Sequence, residues 1–519
     1  MRFIELPFEK VLRICLLSAG LVIAVIMTFV WKQATFGTTP VMSTLWLAAE
    51  ESVVTVVFNA YHSFRMYEIS RTPRAEASGV GSTAAAVPVL VYHRLALTDD
   101  GANVTVAAFA DQMQSLYERG WRTITLEQYK AFKRGELRLP ERSFLITFDD
   151  GAQQSVYPSD PVLATLGFTA VQYIIVVPSE TEGSSYYLST SQIKSLLASG
   201  RWEIGSHSYD AHHPYPVDAE GSTGVFYSDK LWLADMRRLE NDAEFAARVD
   251  NDLALSRAVL ENQYGVTVDT IAFPFGLEAG IKGANTYPAG ESVTVERAAQ
   301  QYVLGWEQTH RKDYTFEYQA FPQFMQYRIH VDHDWDGTEL ADLLEGGIPK
   351  SLPYDDTMAI DRGWRNAWGD VAAGGILQLK AVPTQTSASS ILDGTRLWKE
   401  YESDFTADWH NGAFFVIGSA SKNDTYRACV YQDGRVMIQD TSDGKDTPLT
   451  HAQAPGVTFG KNLRFGMRIT PTSITCLFNG TPVVSIAIAS RQGGIGVQTW
   501  NPVPGTALAT ITHVSVHEI

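Results

Sequence analysis

From Val87 to Leu344 the chain repeats one pattern. A short apolar run is followed by a stretch with helical spacing, and then by another apolar run. The apolar runs are Val87–His93, Phe144–Phe148, Thr169–Val177, Trp202–Gly205, Thr270–Phe273, Tyr302–Trp306 and Tyr327–Val331. Between and after them lie helical stretches at Ala107–Arg119, Thr125–Gly135, Pro161–Leu166, Gln192–Ser199, Arg248–Tyr264, Val293–Gln301 and Thr338–Leu344. Neighbouring parallel strands need a crossover, usually a helix. The alternation therefore predicts an α/β domain built on a parallel sheet or barrel. In such folds ligands bind at the C-terminal ends of the strands, so the polar residues there are the ones to read for chemistry.

Phe144-Leu145-Ile146-Thr147-Phe148 ends in Asp149-Asp150-Gly151. Consecutive strand residues face opposite sides, so two adjacent carboxylates at a strand end project differently. One can hold a metal while the other works on a water. Trp202-Glu203-Ile204-Gly205 leads into Ser206-His207-Ser208-Tyr209-Asp210-Ala211-His212. His207 and His212 do not share a helix face, but a loop can turn both onto one ion. With Asp150 they make an Asp-His-His set with open positions, which suits a catalytic divalent metal. Phe273-Pro274-Phe275-Gly276 forms a rigid turn at a third strand end, and Arg328-Ile329-His330-Val331-Asp332-His333-Asp334 brings titratable groups to a late one.

These pieces resemble the polysaccharide deacetylases of the NodB-homology type, carbohydrate esterase family 4. The match lies in Thr147–Gly151, in His207-Ser208 with His212, in Phe273–Gly276 and in the opening Pro88-Val89-Leu90-Val91-Tyr92-His93-Arg94. The resemblance implies a distorted (β/α) barrel that removes N-acetyl groups from an amino-sugar polymer. It implies Asp149 as the general base and Asp150, His207 and His212 as ligands of a divalent metal, zinc first, with cobalt or nickel as alternatives. Phe275, Pro274 and Tyr209 are the candidate substrate-binding residues, with the Phe275 N–H facing the developing oxyanion. His333, in Val331-Asp332-His333, is the candidate acid, with His330 and His310 as alternatives. The sequence departs from the family in one place. Many members carry an Arg before the Pro of the third motif, where this chain has Ala272 and Phe273. The partner of the base is then absent or comes from elsewhere. The apolar-Pro-aromatic-Gly turn resembles members acting on extracellular β-1,6-linked glucosamine polymers, which points to an exopolysaccharide. The alternatives are an O-acetyl polysaccharide esterase and a non-catalytic glycan-binding scaffold in polysaccharide assembly.

The rest of the 519-residue chain frames this domain. A formal net charge of −17 without a basic stripe argues against nucleic acid. Ile14–Trp31 is uncharged and apolar, preceded by Arg2, Lys10 and Arg13. This reads as a single-pass inner-membrane anchor that leaves the remaining chain in the periplasm or outside the cell. An N-acetylated polysaccharide, the membrane and polysaccharide-synthesis proteins are the expected partners. The expected domains are an anchor at 1–36, a helical segment and linker at 37–86, the deacetylase-like domain at 87–350, a linker at 351–375 and a jelly-roll β-sandwich at 376–519. The sandwich rests on recurring short strands with turns such as Phe478-Asn479-Gly480. It is expected either to bind glycan, through Trp409, Trp500 or Tyr431, or to serve as structure. Cys429 and Cys476 either pair or remain free thiols in facing strands. The Pro214–Glu244 insertion either walls the cleft or packs on itself.

Overall fold

The computed structural model describes residues 82–519, except 181–183, 185, 278–286, 310–315 and 423–424. The expected anchor, the 37–86 helical segment and linker up to residue 81, and His310 lie outside the described residues. Among those described, no helix is long and apolar enough to cross a membrane.

The N-terminal domain is a closed parallel barrel. Its strands are β1 (Val89–Tyr92), β2 (Ser143–Phe148), β3 (Ala170–Ile174), β4 (Trp202–Ser206), β5 (Thr270–Ala272), β6 (Leu304–Thr309) and β7 (Met325–His330). They pair in chain order from β2 to β7, and β1 closes the ring by pairing with both β7 and β2. Helices α1 (Val106–Glu118), α2 (Leu126–Lys133), α3 (Ser159–Leu166), α4 (Thr190–Ala198), α5 (Asp242–Tyr264), α6 (Gly290–Ala299) and α7 (Gly337–Gly347) supply the crossovers and the outer layer. Side-chain alternation divides each strand between two cores. Leu90, Ile146, Phe148, Ile174 and Ile329 face out to the helices. Val89, Leu145, Val171, Tyr173 and Trp306 fill the barrel, closed off by Tyr129 and Phe132 of α2.

One glycine is required by this filling. A Cβ on Gly205 would lie 2.2 Å from the Tyr173 ring. That ring stands inside the barrel, where its hydroxyl bonds Thr270 and accepts from the Trp306 indole. The insertion folds into two short hairpins, Tyr215–Pro216 with Thr223–Gly224 and Trp232–Leu233 with Arg238–Leu239. Its Val217, Phe226, Tyr227 and Leu231 share a core with Phe245, Val249 and Leu253 of α5 and with Phe273.

The C-terminal domain is a sandwich of two antiparallel sheets. The stretch 351–375 was expected to be a linker and is part of it. Tyr354–Asp356 pairs with Leu508–Glu518, Trp364–Trp368 with Ser387–Leu392, and Asp370–Ala373 with Leu377–Lys380. Those strands are short and polar on one side, so they resemble a linker in sequence, but they hydrogen-bond at the sheet margins. Trp409 and Tyr431 are buried in the sandwich core and offer no platform to a glycan; Trp500 is half-buried. Cys429 and Cys476 form a disulfide that joins the two sheets across that core, with Cα atoms 5.6 Å apart.

The bridge closes a sequence separation of 47 residues. The chain entropy it removes from the unfolded state is worth about 4 kcal/mol. Replacing both cysteines by alanine should lower the melting midpoint of the sandwich by on the order of 10 °C in calorimetry. An unmoved midpoint would show that the sheets hold without it.

Candidate active site

The C-terminal rim of the barrel gathers the polar strand ends. Asp149 and Asp150 follow β2, His207 follows β4, Phe275 follows β5, and Arg328 lies in β7. Asp149 points inward and is 2% exposed, and Arg328, 1% exposed, faces it. The guanidinium donates Nη1 to Asp149 Oδ1 at 2.6 Å and Nη2 to Oδ2 at 2.7 Å, a bidentate fork. Nη1 also reaches Thr147 Oγ1 at 3.2 Å, and the guanidinium lies 5.5 Å from the Tyr173 ring centre. Burial alone pushes the Asp149 carboxyl up. The charge of Arg328, with lesser help from His207 and His93, outweighs burial and holds the carboxyl below the usual range. The arginine missing from the third motif is supplied to Asp149 by Arg328 of β7.

Asp150 turns the other way, with φ at 73°. His207 Nε2 lies 3.4 Å and His212 Nε2 3.2 Å from its Oδ1. Neither contact closes as a hydrogen bond, so this buried oxygen has no donor. One ligand atom from each of Asp150, His207 and His212 falls within 4.8 Å of the others. His207 Nδ1 donates to the Ala272 carbonyl at 2.8 Å. That bond fixes the tautomer and leaves the Nε2 lone pair facing Asp150, as a ligand histidine requires. An unpartnered buried carboxylate oxygen beside two oriented imidazoles fits a divalent cation. Burial pushes the Asp150 carboxyl up, but the two imidazoles hold it well below the ordinary range.

Asp150, Ser208 and Phe275 are non-glycine residues in the left-handed region, with φ of 73°, 86° and 61°. Phe275 is 38% exposed, and its ring centre lies 4.5 Å from that of His212. It offers an apolar face beside the ligand set. Two expected substrate contacts fare differently. Pro274 is buried and shapes the turn without presenting a surface. Tyr209 is half-buried and packs against the outer core. His333 lies on the loop after β7, its Nδ1 3.5 Å from Asp99 Oδ1. A further histidine stands at the end of the strand that pairs with β2. His93 follows β1, and the Asp149 N–H donates to the carbonyl of its neighbour Tyr92 at 3.1 Å. The His93 charge acts on both Asp149 and Asp150, and its ring centre lies 5.6 Å from that of His330. Its position at a strand end, next to the Asp-Asp end, is the signal that could have found it.

Fold and site together define an α/β barrel with an Asp-His-His ligand set and a buried, arginine-paired aspartate at its strand ends. Residues 136–284, within the barrel, match the family described as Polysaccharide deacetylase. Over 191 residues the chain is 25% identical to a poly-β-1,6-N-acetyl-D-glucosamine N-deacetylase of Escherichia coli K12, covering 34% of this chain and 28% of that protein. It is 23% identical over 237 residues to a Staphylococcus aureus protein of the same name, covering 41% of this chain and 74% of that one. Among solved structures, the BpsB deacetylase domain of Bordetella bronchiseptica aligns over 48% of this chain and 96% of its own, at 23% identity and a TM-score of 0.40. The chain thus spans less than a third of the length of the E. coli relative.

Removing one partner of a buried ion pair leaves an uncompensated charge and costs about 3–5 kcal/mol. Arg328→Met should lose that much stability at neutral pH in urea titrations. The native pairing depresses the Asp149 pKa, so its contribution is present at neutral pH and is lost as pH falls through the folded pKa. In the variant, protonation of Asp149 removes the penalty, so the gap between the two proteins should shrink in acid. A gap that is constant with pH would show that the pair carries no charge coupling.

Proposed function

We propose that this protein is a divalent-metal-dependent N-deacetylase of a β-1,6-linked N-acetylglucosamine exopolysaccharide. The observation that carries the reading is the juxtaposition of Asp149, ionised by Arg328, with an Asp150-His207-His212 set whose carboxylate oxygen has no donor. The names of the E. coli and S. aureus relatives support the polymer.

Asp150, His207 and His212 would hold the ion, zinc first, which when bound would polarise the acetyl carbonyl and acidify water. Asp149 then takes a proton from the attacking water as its oxygen bonds the carbonyl carbon. Arg328 keeps this carboxylate ionised and fixed in direction. The Phe275 N–H serves the oxyanion. His93, which follows Tyr92 on the strand paired in register with Phe148, gives a proton to the amide nitrogen as the C–N bond breaks, with His333 as the alternative. The products are acetate and a free amine. The exposed Phe275 ring supplies an apolar surface for the acetyl group or sugar face.

We place the domain outside the cytoplasm, held by the Ile14–Trp31 anchor. The Cys429–Cys476 disulfide supports this, because such bonds persist in oxidising compartments. Polysaccharide-synthesis proteins are the natural neighbours of such an enzyme.

The full chain should release acetate from β-1,6-linked N-acetylglucosamine oligomers. A chelator should stop release, and zinc, cobalt or nickel should restore it. Asp149→Asn should retain the metal and lose ~10²–10⁴-fold in kcat. No release from protein shown to bind metal would overturn the reading, and release from O-acetylated polymer alone would move it to an esterase.

A further inference from the structure

Asp252 is a buried acid that the chemistry above does not use. It sits on α5, is 4% exposed, and lies on the face turned to the histidine loop. Its Oδ1 accepts from the Tyr209 N–H at 3.1 Å and its Oδ2 from the Asp210 N–H at 3.1 Å. Those two amides are the middle of the loop that runs from His207 to His212. A third donor comes from the insertion, where the buried Tyr227 hydroxyl donates to Oδ1. One helical turn on, Ser256 exchanges a hydrogen bond with Ser206 Oγ at 2.6 Å, just before His207. The insertion also reaches the loop directly. Tyr215 donates its hydroxyl to the Asp210 carbonyl at 2.6 Å and stacks on His213 with ring centres 4.0 Å apart.

The loop needs such a hold. Ser208 has φ at 86°, a conformation that costs of order 1–3 kcal/mol outside glycine. His207 is oriented by its bond to the Ala272 carbonyl, whereas the His212 ring lies 3.2 Å from Asp150 Oδ1 and 4.5 Å from the Phe275 ring centre, and its approach to them follows the path of the loop. Two consecutive backbone N–H groups gripped by one carboxylate set that path, because both amides must point to a common side.

We propose that Asp252, braced by Tyr227, is a positioning residue for the metal centre: it clamps the backbone between His207 and His212 so that both imidazoles reach the ion held by Asp150. This rests on the reading that these three residues hold a divalent cation. It gives the Pro214–Glu244 insertion a role, since Tyr227 belongs to it.

The test is metal affinity, measured on the full chain by zinc and cobalt titration against a competing chelator, with no substrate present. In Asp252→Asn one acceptor oxygen becomes an amide that meets a backbone N–H with another donor. The dissociation constant should rise ~10–100-fold, as for other residues that orient ligands, and the visible spectrum of the cobalt form should shift as the ligand field distorts. Tyr227→Phe keeps both backbone bonds and should weaken binding only ~2–5-fold, since one neutral hydrogen bond is lost. Leu260→Ala, two turns along α5, buried and without a bond to the 207–212 backbone, is the control. It should lower the melting temperature at least as much and leave affinity and spectrum unchanged. If Asp252→Asn binds metal like the parent, or no more weakly than Leu260→Ala, the inference is overturned and Asp252 only stabilises the fold. A parent that binds no ion would overturn the ligand reading itself, and this inference with it.

Discussion

The bidentate pair between Arg328 and Asp149 is the interaction on which the rest of the barrel depends. Two opposite charges with almost no exposure are tolerable only if each is fully engaged. Here the fork takes both carboxylate oxygens, and Thr147 takes part of the remaining donor capacity. The pair also needs a closed ring. Asp149 ends β2 and Arg328 lies in β7, and they meet only because β1 bridges those two strands. The barrel interior is shaped to match. Gly205 makes room for Tyr173, and Tyr173 in turn stands against the guanidinium. A polar bond at the rim is thereby locked to the apolar packing beneath it.

The same pair separates the two aspartates chemically although they are neighbours in sequence. Strand alternation sends Asp149 into the barrel, where a fixed cation keeps it ionised. The left-handed turn at Asp150 sends its carboxylate outward to two imidazoles. One is an ionised carboxylate with a defined direction, and the other faces the two imidazoles. A single residue type serves both roles because the backbone, not the side chain, decides the environment.

Much of this was legible in the sequence, and the limits have physical causes. The strand-helix alternation predicted a parallel sheet or barrel, and strand ends marked Asp149, Asp150, His207, His212 and Phe275. All five lie within the 136–284 stretch that matches the family. Arg328 and His93 lie outside it, on opposite sides, and only ring closure brings them to the site. No local pattern encodes a contact between residues 179 positions apart. The aromatic residues of the sandwich misled for a different reason. Trp409 was readable as core, because Tyr401–Trp409 alternates buried and half-buried positions in strict register. Composition suggested a stacking surface; periodicity would have placed the indole inside. The 351–375 stretch looked like a linker because sheet-margin strands are short and need burial on only one face.

The three left-handed residues at the rim share a cause. Asp150, Ser208 and Phe275 each lie within one residue of a side chain that the site must aim, or carry it themselves. Such backbone costs of order 1–3 kcal/mol per residue, and an isolated loop would relax out of it. It persists where the surroundings overdetermine the path. Here Gln172 of β3 donates to the Asp149 carbonyl, Ala272 of β5 receives the His207 imidazole, and the Val176 and Val177 amides donate to the carbonyls of Ser208 and Tyr209. The strain and the restraints therefore come from different elements. The motif residues supply the strained turns, and the rigid barrel with its adjoining segments supplies the bonds that hold them. A short motif is consequently not enough to build this site: the same residues on a less rigid scaffold would lose the left-handed turns, and with them the separation of the two carboxylates.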